Sequence, residues 1–485
     1  SGGKLSWDAP AGKWQVHLVW PETQPLSIDP MHPEIGQKVI ADFFQLFEDR
    51  SPGESGKSLN FFFSDELQFG VAGRLWNDRF LKTFQERMGY DLAPELPALF
   101  TDIGPRTPKI RMDYYDLVVA LQEEGYFKPL FDWHQARGMI YGCDHGGRGR
   151  QGDEFGDYFR TQRWNQGPGA DQPRLAQDLI KAKVAASIAH MYERPRVWLE
   201  GFYSSGWGTS GADVAHATFA NYAMGFNLLT LHGLYYSTRG GYWEWAPPCN
   251  HFHMPYWRHM KPFMDCVQRL SYLMSQGRHV CDVAVMYPVE PSHAGMGGKE
   301  SVAASFDTAR ALYGAGIDFD FMDPQSLARA TVKDGRLHVS GESFRALVLP
   351  AMQAVRFSTL RKAVEFHRAG GLVVVLGPVP VASERAGRDD PELNTLVAEL
   401  TTRVGSPDAV RELVAKAFPR DYEGPGMINH RRVGGRDVYL IYGAPKGSEA
   451  RFRATGKVEL WNPWTGKAAS LPVIAQHKSE TRPHL

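Results

Sequence analysis

The stretch Leu59-Asn-Phe-Phe-Phe-Ser-Asp65-Glu66 is an apolar run that ends abruptly in two acidic residues. It predicts a buried β-strand whose carboxyl end carries carboxylates. The same pattern returns in Arg196-Val-Trp-Leu-Glu200, in Met139-Ile-Tyr-Gly-Cys-Asp144-His145, and in residues 226–231, which precede His232. Four predicted strands therefore place acids or histidines at their carboxyl ends.

Helical patterns separate these strands. Residues 113–137, 176–191 and 255–276 are predicted helices, and the apolar residues of the second fall on one stripe. A helix is also predicted over residues 32–47, and a short strand over residues 14–20. Alternating strands and helices with polar strand ends are typical of parallel βα units, whose sites lie at the carboxyl ends of the strands.

Both a closed (β/α)8 barrel and an open doubly wound sheet produce this pattern. The long loops that follow the predicted strands favour the barrel. A closed barrel needs eight strands, and four are predicted between residues 59 and 275. We therefore expect a (β/α)8 barrel over residues 1–280 that is incomplete at the N-terminus, with part of it preceding residue 1.

A second α/β unit is predicted over residues 281–418. It begins with Asp282-Val-Ala-Val-Met-Tyr-Pro288 and includes Gly371-Leu-Val-Val-Val-Leu-Gly377, in a Rossmann-like or flavodoxin-like alternation. Prolines occupy the turn Leu376-Gly377-Pro-Val-Pro380, where a phosphate-binding loop needs glycines, so neither a nucleotide nor an organic cofactor is expected. Residues 419–485 have strand and turn patterns typical of the start of a β-rich domain.

The charge and length of the chain exclude several classes of protein. It has 485 residues, and 54 Lys and Arg balance 54 Asp and Glu, which argues against a nucleic-acid partner or a polybasic membrane surface. No apolar stretch reaches about 18 residues, so no membrane-spanning helix is predicted. The N-terminus has no initiator methionine and no signal peptide, which favours a processed, trimmed or incomplete chain. Four cysteines leave one or two disulfide bridges open: Cys143, Cys249, Cys266 and Cys281.

Two glutamates are the main candidates for catalysis. Glu66 and Glu200 each close a very apolar strand, where water is scarce and the pKa of a carboxyl rises, as suits a general acid. Two such groups facing one cleft are what glycoside hydrolysis requires, with one acid protonating the leaving oxygen and one base activating water. The alternative is that each is a salt-bridged residue at a strand end.

Aromatic residues follow Glu200 and His232 along the chain. Flat rings interleaved with polar groups match the apolar faces and hydroxyls of a sugar, although such a loop can also be a rigid lid. The predicted sugar-binding residues are Asp65, Asp144, His145, Tyr203, Trp207, His232, Tyr235, Tyr236, Trp243 and Glu244. Glu244, between two tryptophans, is a third candidate acid because an apolar surrounding raises a carboxyl pKa.

Histidines offer a metal-dependent alternative. Asp144, His145, His232, His251 and His253 together resemble the ligands of a hydrolytic metal centre, while histidines also hydrogen-bond sugar hydroxyls. Asp171 precedes the helix over residues 176–191, so it is interpreted either as a helix cap or as a base carried on a loop.

An ordered set of motifs resembles glycoside hydrolase family 106, the α-L-rhamnosidase family, over roughly residues 4–290. The set comprises Phe63-Ser-Asp-Glu66, Trp76-Asn-Asp-Arg-Phe80, Gly89-Tyr-Asp-Leu92, Arg111-Met-Asp-Tyr-Tyr115, Ala186-Ser-Ile-Ala-His190 and Trp198-Leu-Glu-Gly201. The resemblance implies a (β/α)8 catalytic domain, inversion at the anomeric carbon, a pair of glutamates and often calcium. Residues 282–380 resemble the amidotransferase-like domain that follows the barrel in several glycosidases, without its cysteine nucleophile.

Glu66 and Glu200 match the strand-end glutamates of this family. A further family glutamate belongs in the loop before the Ala186-Ser187 helix, where this chain offers Asp171 as the nearest carboxylate. The resemblance thus implies Glu200 as general acid, Glu66 as base or calcium ligand, and Asp171 as alternative base. It also implies a periplasmic or extracellular location.

We therefore predict hydrolysis of a terminal α-L-rhamnoside or a related deoxy-sugar of a polysaccharide or glycoside. The alternatives are a catalytically impaired carbohydrate-binding relative and a metal-dependent hydrolase that uses the histidine and aspartate group. The sequence leaves the oligomeric state open.

Overall fold

The structure is a computed structural model that describes residues 6–23, 27–235, 237, 239, 245–477 and 480–483. Of the predicted site residues, Tyr236, Trp243 and Glu244 lie outside the described residues. Within the described ranges, no helix is long and apolar enough to cross a membrane.

The strands lie in chain order as follows: β1 (Phe61–Asp65), β2 (Ile140–Asp144), β3 (Gly167–Gln172), β4 (Trp198–Gly201), β5 (Leu228–Leu231), β6 (Arg278–His279), β7 (Val283–Met286), β8 (Phe319–Met322), β9 (Thr331–Lys333), β10 (Arg336–Val339), β11 (Glu342–Phe344), β12 (Ala346–Pro350), β13 (Leu372–Leu376), β14 (Ala382–Ser383), β15 (Gly387–Arg388), β16 (Arg403–Val404), β17 (Tyr422–Glu423), β18 (Met427–Val433), β19 (Arg436–Tyr442), β20 (Arg451–Phe452), β21 (Glu459–Trp461), β22 (Ala468–Ser470), β23 (Val473–His477) and β24 (Glu480–Pro483).

The α-helices are α1 (Ile35–Val39), α2 (Gln45–Arg50), α3 (Phe80–Met88), α4 (Thr107–Gln122), α5 (Lys128–Gln135), α6 (Tyr158–Gln162), α7 (Leu179–Met191), α8 (Gly211–Ala223), α9 (Met260–Met274), α10 (Glu290–Ala294), α11 (Gly298–Gly314), α12 (Pro324–Arg329), α13 (Phe357–Arg368), α14 (Pro391–Glu399) and α15 (Pro407–Ala417). π-helical turns at Ile40–Phe44 and Glu123–Phe127 join α1 to α2 and α4 to α5.

The first sheet contains β1 to β5 in chain order, and every pair of neighbours is parallel. In the register, Asp65 lies beside Asp144, and Asp171 lies beside Glu200. Because the strands are parallel, their carboxyl ends meet at one edge, and the acidic residues gather there. The sheet is a parallel half-barrel whose outer strands are β1 and β5.

The second sheet has the order β16-β13-β12-β7-β8 and is also parallel. Numbered along the chain, this order is 2-1-3-4-5 read from β8, the order of flavodoxin-like folds. Its strands are nearly continuous runs of Val, Leu, Met and Phe, because helices cover both faces of a parallel sheet.

Helix α7 packs between the two sheets. Every residue from Ile180 to Met191 is buried, and Ile180, Val184 and Ile188 belong to the same apolar core as the strands of the second sheet. A helix that is buried on all sides is apolar or has paired polar groups throughout. The polar residues of α7 connect the two sheets.

A β-rich region follows the second sheet. β18 pairs with β19, and also with β6, the short strand that precedes the second sheet. β17, β20, β24 and β23 form one further sheet, and β21 and β22 form a hairpin.

Several predicted elements differ from the structure. The strand predicted over residues 14–20 is not formed, because these residues join no ladder of backbone hydrogen bonds and lie exposed. The helix predicted over residues 113–137 begins earlier, at Thr107, where Pro108 fits the first turn. All four cysteines are free and buried, so the structure contains no disulfide bridge among them.

The prediction also missed a strand. Residues 167–172 read Gly-Pro-Gly-Ala-Asp-Gln and were expected to form a loop, but they form β3 in the middle of the half-barrel. Asp171 is therefore a strand residue, and the helix-cap interpretation is wrong. Asp178 is the residue that caps α7, through hydrogen bonds from the N–H groups of Ile180 and Lys181.

Candidate active site

Three carboxylates converge at the carboxyl edge of the half-barrel. Asp65, Asp144 and Glu200 each place an oxygen within 4.8 Å of the others. Asp144 is fully buried and Glu200 is 7% exposed, whereas Asp65 faces solvent. The register of β1 to β4 produces this arrangement, since each residue closes its strand.

The surroundings of Glu200 favour the protonated form of its carboxyl. Burial raises its pKa to about 7, and the negative charges of Asp65 and Asp171 contribute in the same direction. Arg148 opposes them only in part. A carboxyl that is protonated near neutral pH, at the carboxyl edge of the strands, can donate that proton to a bound molecule.

Arg148 is the cation at the centre of the site. Its Nη2 lies 3.1 Å from Asp144 Oδ2 and 3.3 Å from Glu66 Oε1, and its Nε lies 2.9 Å from Asp171 Oδ1. It therefore links the ends of β1, β2 and β3. The sequence analysis did not single out this residue, because arginines in glycine-rich loops usually face solvent.

A half-buried carboxylate, that of Glu154, holds the loop that carries Arg148. Glu154 accepts hydrogen bonds from the backbone N–H groups of Gly147, Gly149 and Gln151, at 2.9, 3.1 and 3.0 Å. A Cβ at Gly147 would lie 2.5 Å from Glu154 Oε1, so the close approach requires glycine there. Glycine thus allows this loop to keep the single conformation in which Glu154 binds its backbone.

Asp171 is ionised, and each of its carboxylate oxygens has a hydrogen-bond partner. Lys181 Nζ lies 2.6 Å from its Oδ1, and the Tyr203 hydroxyl donates to its Oδ2 at 2.6 Å. Burial alone would raise the pKa of Asp171, but the hydrogen bonds from Lys181 and Tyr203 outweigh it and lower the pKa below its ordinary value. Asp171 and Glu200 are therefore neighbours in opposite protonation states.

Glu66 lies at the outer rim. Its side chain is 69% exposed, and its backbone has a φ of 50°, a conformation uncommon outside glycine that turns the chain away from β1. The backbone N–H of Glu66 donates to Asp144 Oδ1 at 3.3 Å. The side chain of Glu66 is thus open to solvent.

The two predicted strand-end histidines have different surroundings. His145 is fully buried, its Nδ1 lies 2.9 Å from Gln162 Oε1, and burial lowers its pKa to about 3. It packs beside Phe127 and Phe155 and is not open to a ligand. His232 lies nearer the site, among the rings of Tyr203, Tyr235 and Trp245.

An aromatic wall therefore borders the site beside Glu200. The ring of His232 lies 5.4 Å from that of Tyr203 and 5.9 Å from that of Trp245, which is 66% exposed. The Tyr235 hydroxyl donates to the carbonyl of Trp245. Trp207, on the loop after β4, is 41% exposed. Exposed rings next to acidic groups fit a ligand with apolar faces and hydroxyls.

The described residues do not assemble the predicted histidine metal centre. Asp144 groups with Asp65 and Glu200, and neither His251 nor His253 belongs to a group of potential ligands in the described part of the chain. His251 and His253 instead face each other, with 3.4 Å between Nε2 and Nδ1. The sequence pattern could not exclude this centre, because distance along the chain does not define distance in space.

The carboxylate group is chemically suited to a calcium ion. Calcium takes six to eight oxygen ligands, and Asp65, Asp144 and Glu200 offer only carboxylate oxygens. Burial raises the pKa of Asp144, and the charge of Arg148 opposes that rise. Glu66, the predicted ligand, is not one of the three grouped residues and contacts Arg148 instead.

Comparison with known proteins places the chain among glycosidases. Residues 1–474 match the family described as alpha-L-rhamnosidase, glycoside hydrolase family 106. A rhamnosidase from Novosphingobium sp. PP1Y has a similar structure, with a TM-score of 0.76 and 21% identity over 97% of this chain and 48% of that one. A beta-galactosidase from Bacillus circulans sp. alkalophilus has a TM-score of 0.58 and 14% identity over 86% of this chain and 78% of its own.

A curated relative from Formosa agariphila is 23% identical over 522 residues, and it is provisionally named a beta-glucuronidase. The match covers 99% of this chain and 43% of that protein. The chain thus spans less than half the length of this relative and of the rhamnosidase. At these identities the solved structures establish likeness of fold alone.

Proposed function

The chain belongs to the alpha-L-rhamnosidase family, glycoside hydrolase family 106, and from that premise we propose that it removes terminal α-L-rhamnose or a related deoxy-sugar from a glycoside or polysaccharide. The observation that carries the proposal is the position of Glu200, a buried carboxyl with a pKa of about 7 beside an ionised Asp171. A buried carboxyl that keeps its proton near neutral pH is typical of the general acid of a glycosidase.

In this mechanism Glu200 donates its proton to the leaving glycosidic oxygen. Glu66 activates the attacking water, because it is the accessible carboxylate at the rim and its charge faces solvent. An inverting enzyme needs these two carboxyls about 6.5–9.5 Å apart to admit that water. His232, Tyr203 and Trp207 bind the sugar, with Asp65 and Asp144 at the floor of the site.

Asp171 is a poor base in this account. Lys181 and Arg148 both pair with it, so it binds a proton weakly and does not readily accept one from water. Its negative charge instead raises the pKa of Glu200 and anchors the Tyr203 hydroxyl. We assign it a positioning and electrostatic role in place of the missing family glutamate.

Calcium offers a second occupant for the same carboxylates. A bound cation would lower the pKa of Glu200, so a proton on Glu200 and a calcium ion at the group exclude each other. If a calcium chelator abolishes activity and calcium restores it, calcium is required. Weaker calcium binding by Glu200→Gln would then identify Glu200 as a ligand and contradict its role as the acid. Activity that withstands the chelator supports Glu200 as the acid.

The half-barrel is best explained as part of a (β/α)8 barrel. The rhamnosidase and the beta-galactosidase named above have similar folds, and the first sheet places its acids at the carboxyl edge, as barrel enzymes do. The outer edges of β1 and β5 are the places where further strands would close the barrel. We retain the periplasmic or extracellular location as a prediction from the family.

A carbohydrate-binding relative without turnover is the second candidate. The observation that favours it is that Asp171 is shorter than the family glutamate and is already paired with Lys181. Such a protein would bind rhamnose with similar affinity before and after Glu200→Gln, and would release none from any glycoside.

The test compares Glu200→Gln with the wild type on two rhamnosides. On a substrate with a poor leaving group, we expect kcat to fall about 10²–10⁴-fold, because the proton donor is gone. On an activated aryl rhamnoside the loss should be much smaller, since that leaving group needs little protonation. Glu290→Gln is the matched control, because Glu290 is also buried and burial also raises its pKa, but it lies on α10, which follows β7 of the second sheet.

Equal losses on the two substrates would contradict the role of Glu200 as an acid. Full activity of Glu200→Gln on both would remove Glu200 from the chemistry altogether.

A further inference from the structure

A buried ionic cluster joins α7 to the second sheet. Asp320, on β8, has both carboxylate oxygens occupied: His190 Nδ1 lies 2.9 Å from Oδ1, and His279 Nδ1 lies 2.9 Å from Oδ2. The Ser187 hydroxyl donates to Oδ1 at 3.2 Å and accepts from the backbone N–H of Phe321 at 2.9 Å. Asp320, His279 and Ser187 are all buried.

The cluster continues on the far side of His279. His279 Nε2 lies 2.9 Å from Asp318 Oδ2, and the Lys183 ammonium of α7 pairs with the other oxygen of Asp318. Lys183 is 2% exposed. His279 is thus an imidazole held between two aspartates, and α7 contributes a cation or a donor to each of them.

The ring geometry argues against a metal ion at this cluster. His190, His279 and Asp320 could each offer a ligand atom, and these atoms lie within 4.8 Å of one another. However, the two imidazoles are stacked, with centroids 4.4 Å apart and planes inclined by 17°. A metal must lie close to the plane of each imidazole that binds it, and nearly parallel stacked rings share no such point. Their two N–H groups instead match the two oxygens of one carboxylate.

The same helix reaches the candidate active site at its other end. Lys181, in the first turn of α7, donates to Asp171 Oδ1 at 2.6 Å and to the Asp171 carbonyl at 3.2 Å. Lys181 and His190 are nine residues apart, which is about 13 Å along a rigid helix. The axial position of α7 therefore determines both contacts together.

We propose that Asp320 and His279 are positioning residues of the active site, because they fix α7 in the register at which Lys181 holds Asp171 beside Glu200. The second sheet is then part of the catalytic architecture. Small displacements of catalytic groups cost large factors in rate, since a shift of about 1 Å can lower it 10²-fold. The effect on catalysis rests on the proposed function, whereas the coupling along α7 does not.

The experiment compares His279→Gln and Asp320→Asn with a chemically matched control. His430 is also held between two aspartates, with Nδ1 2.7 Å from Asp421 and Nε2 3.0 Å from Asp437. Burial alone would lower the pKa of His430, but the two aspartates outweigh it and raise that pKa. His430 lies on β18, which pairs with β6, but its side-chain partners Asp421 and Asp437 belong to the β-rich region. His430→Gln therefore removes a similar side-chain network whose described residues make no hydrogen bond to α7. His190→Leu is a milder variant that deletes the hydrogen bond from Nδ1 to Asp320, in case Asp320→Asn does not fold.

Two readouts are measured on folded protein. The first is hydrogen–deuterium exchange of the backbone amides of residues 180–185, which we expect to rise at least tenfold in the α7 variants and to stay unchanged in His430→Gln. The second is hydrolysis of an aryl rhamnoside, for which we expect kcat to fall about tenfold with little change in KM. Lys181→Met should give a similar loss, and adding His279→Gln to it should cost no more, because both changes release Asp171.

The outcomes separate the inference from the proposed function. Unchanged exchange at residues 180–185, or multiplicative losses in the double variant, would overturn the coupling. Raised exchange with unchanged kcat would overturn the positioning role alone. If the wild type has no turnover, the proposed function fails, and the exchange experiment still decides whether the cluster fixes the helix end beside Asp171.

Discussion

At the scale of single residues, the site depends on two acids that lie side by side with opposite pKa shifts. Asp171 and Glu200 are neighbours in the register of β3 and β4. Lys181, Tyr203 and Arg148 all reach Asp171, so it keeps its charge, whereas Glu200 is left with burial and like charges. The surroundings of the two carboxyls, and not the type of residue, determine which one is protonated.

This difference predicts a pH-dependent effect of Glu200→Gln on stability. At about pH 4 the Glu200 carboxyl is protonated in the folded state and nearly so in the unfolded state, so the substitution should change little. As pH rises, the unfolded chain releases its proton first, and above pH 7 the buried charge costs on the order of 3 kcal/mol. Glu200→Gln should therefore raise the free energy of unfolding at pH 8, measured by urea denaturation with a chelator present.

Asp171→Asn is the control with the opposite sign. Because the pKa of Asp171 is lowered on folding, its charge stabilises the protein at neutral pH, and that stability is lost as pH falls through the folded pKa. Asp171→Asn should thus destabilise more at pH 8 than at pH 3. A Glu200→Gln effect that is the same at pH 4 and pH 8 would contradict the raised pKa.

At the scale of elements, the sequence predicted the strands that are apolar throughout. The four runs ending at Asp65, Asp144, Glu200 and Leu231 became β1, β2, β4 and β5, within three residues at each end. Their acidic ends were correctly expected at one edge. Long apolar runs with an abrupt polar end are determined by burial, which a sequence records directly.

The strand β3 was not predicted, because its residues favour a turn whereas the neighbouring strands hold them in a sheet. Gly167, Pro168 and Gly169 are turn residues, and only the neighbouring strands make them part of a sheet. The ionic cluster at Asp320 was also not predicted, because its members are distant along the chain. His190 and His279 meet Asp320 from 130 and 41 residues away, and no local pattern records such a contact.

Gly169 favours a turn by its residue type, but the sheet requires a glycine at this position. A Cβ at Gly169 would lie 2.4 Å from the Trp198 carbonyl oxygen and 2.7 Å from its Cβ. Gly169→Ala should therefore push β3 from β4, where Asp171 and Glu200 meet, and destabilise the protein by about 1–3 kcal/mol. We expect activity to fall as well, and urea denaturation with an aryl rhamnoside assay measures both.

Gly208→Ala provides the matched comparison, because nothing lies within 4 Å of a Cβ at that position. If Gly169→Ala were no more harmful than Gly208→Ala, the close approach of β3 and β4 would not matter for the site.

At the scale of the whole molecule, two exposed phenylalanines lie beside β1. Phe43 and Phe47 are 51% and 45% exposed, and their rings contact that of Phe62 on β1. Apolar patches of this kind next to an unpaired strand edge are association surfaces.

We expect the purified chain to associate through this surface. The double variant Phe43→Lys/Phe47→Lys should shift it toward the monomer in sedimentation velocity and reduce binding of a hydrophobic dye. Tyr272→Lys, which changes a 65% exposed residue on α9, should do neither. Equal behaviour of the two variants would show that the face beside β1 is not the associating surface.

The most direct test of the central claim is proton NMR of rhamnoside hydrolysis by this chain, with the first anomer released recorded before mutarotation. Glu200 as acid with Glu66 as base predicts that an α-L-rhamnoside yields β-L-rhamnose first. Release of α-L-rhamnose first, or no release of rhamnose under any condition, would contradict the account.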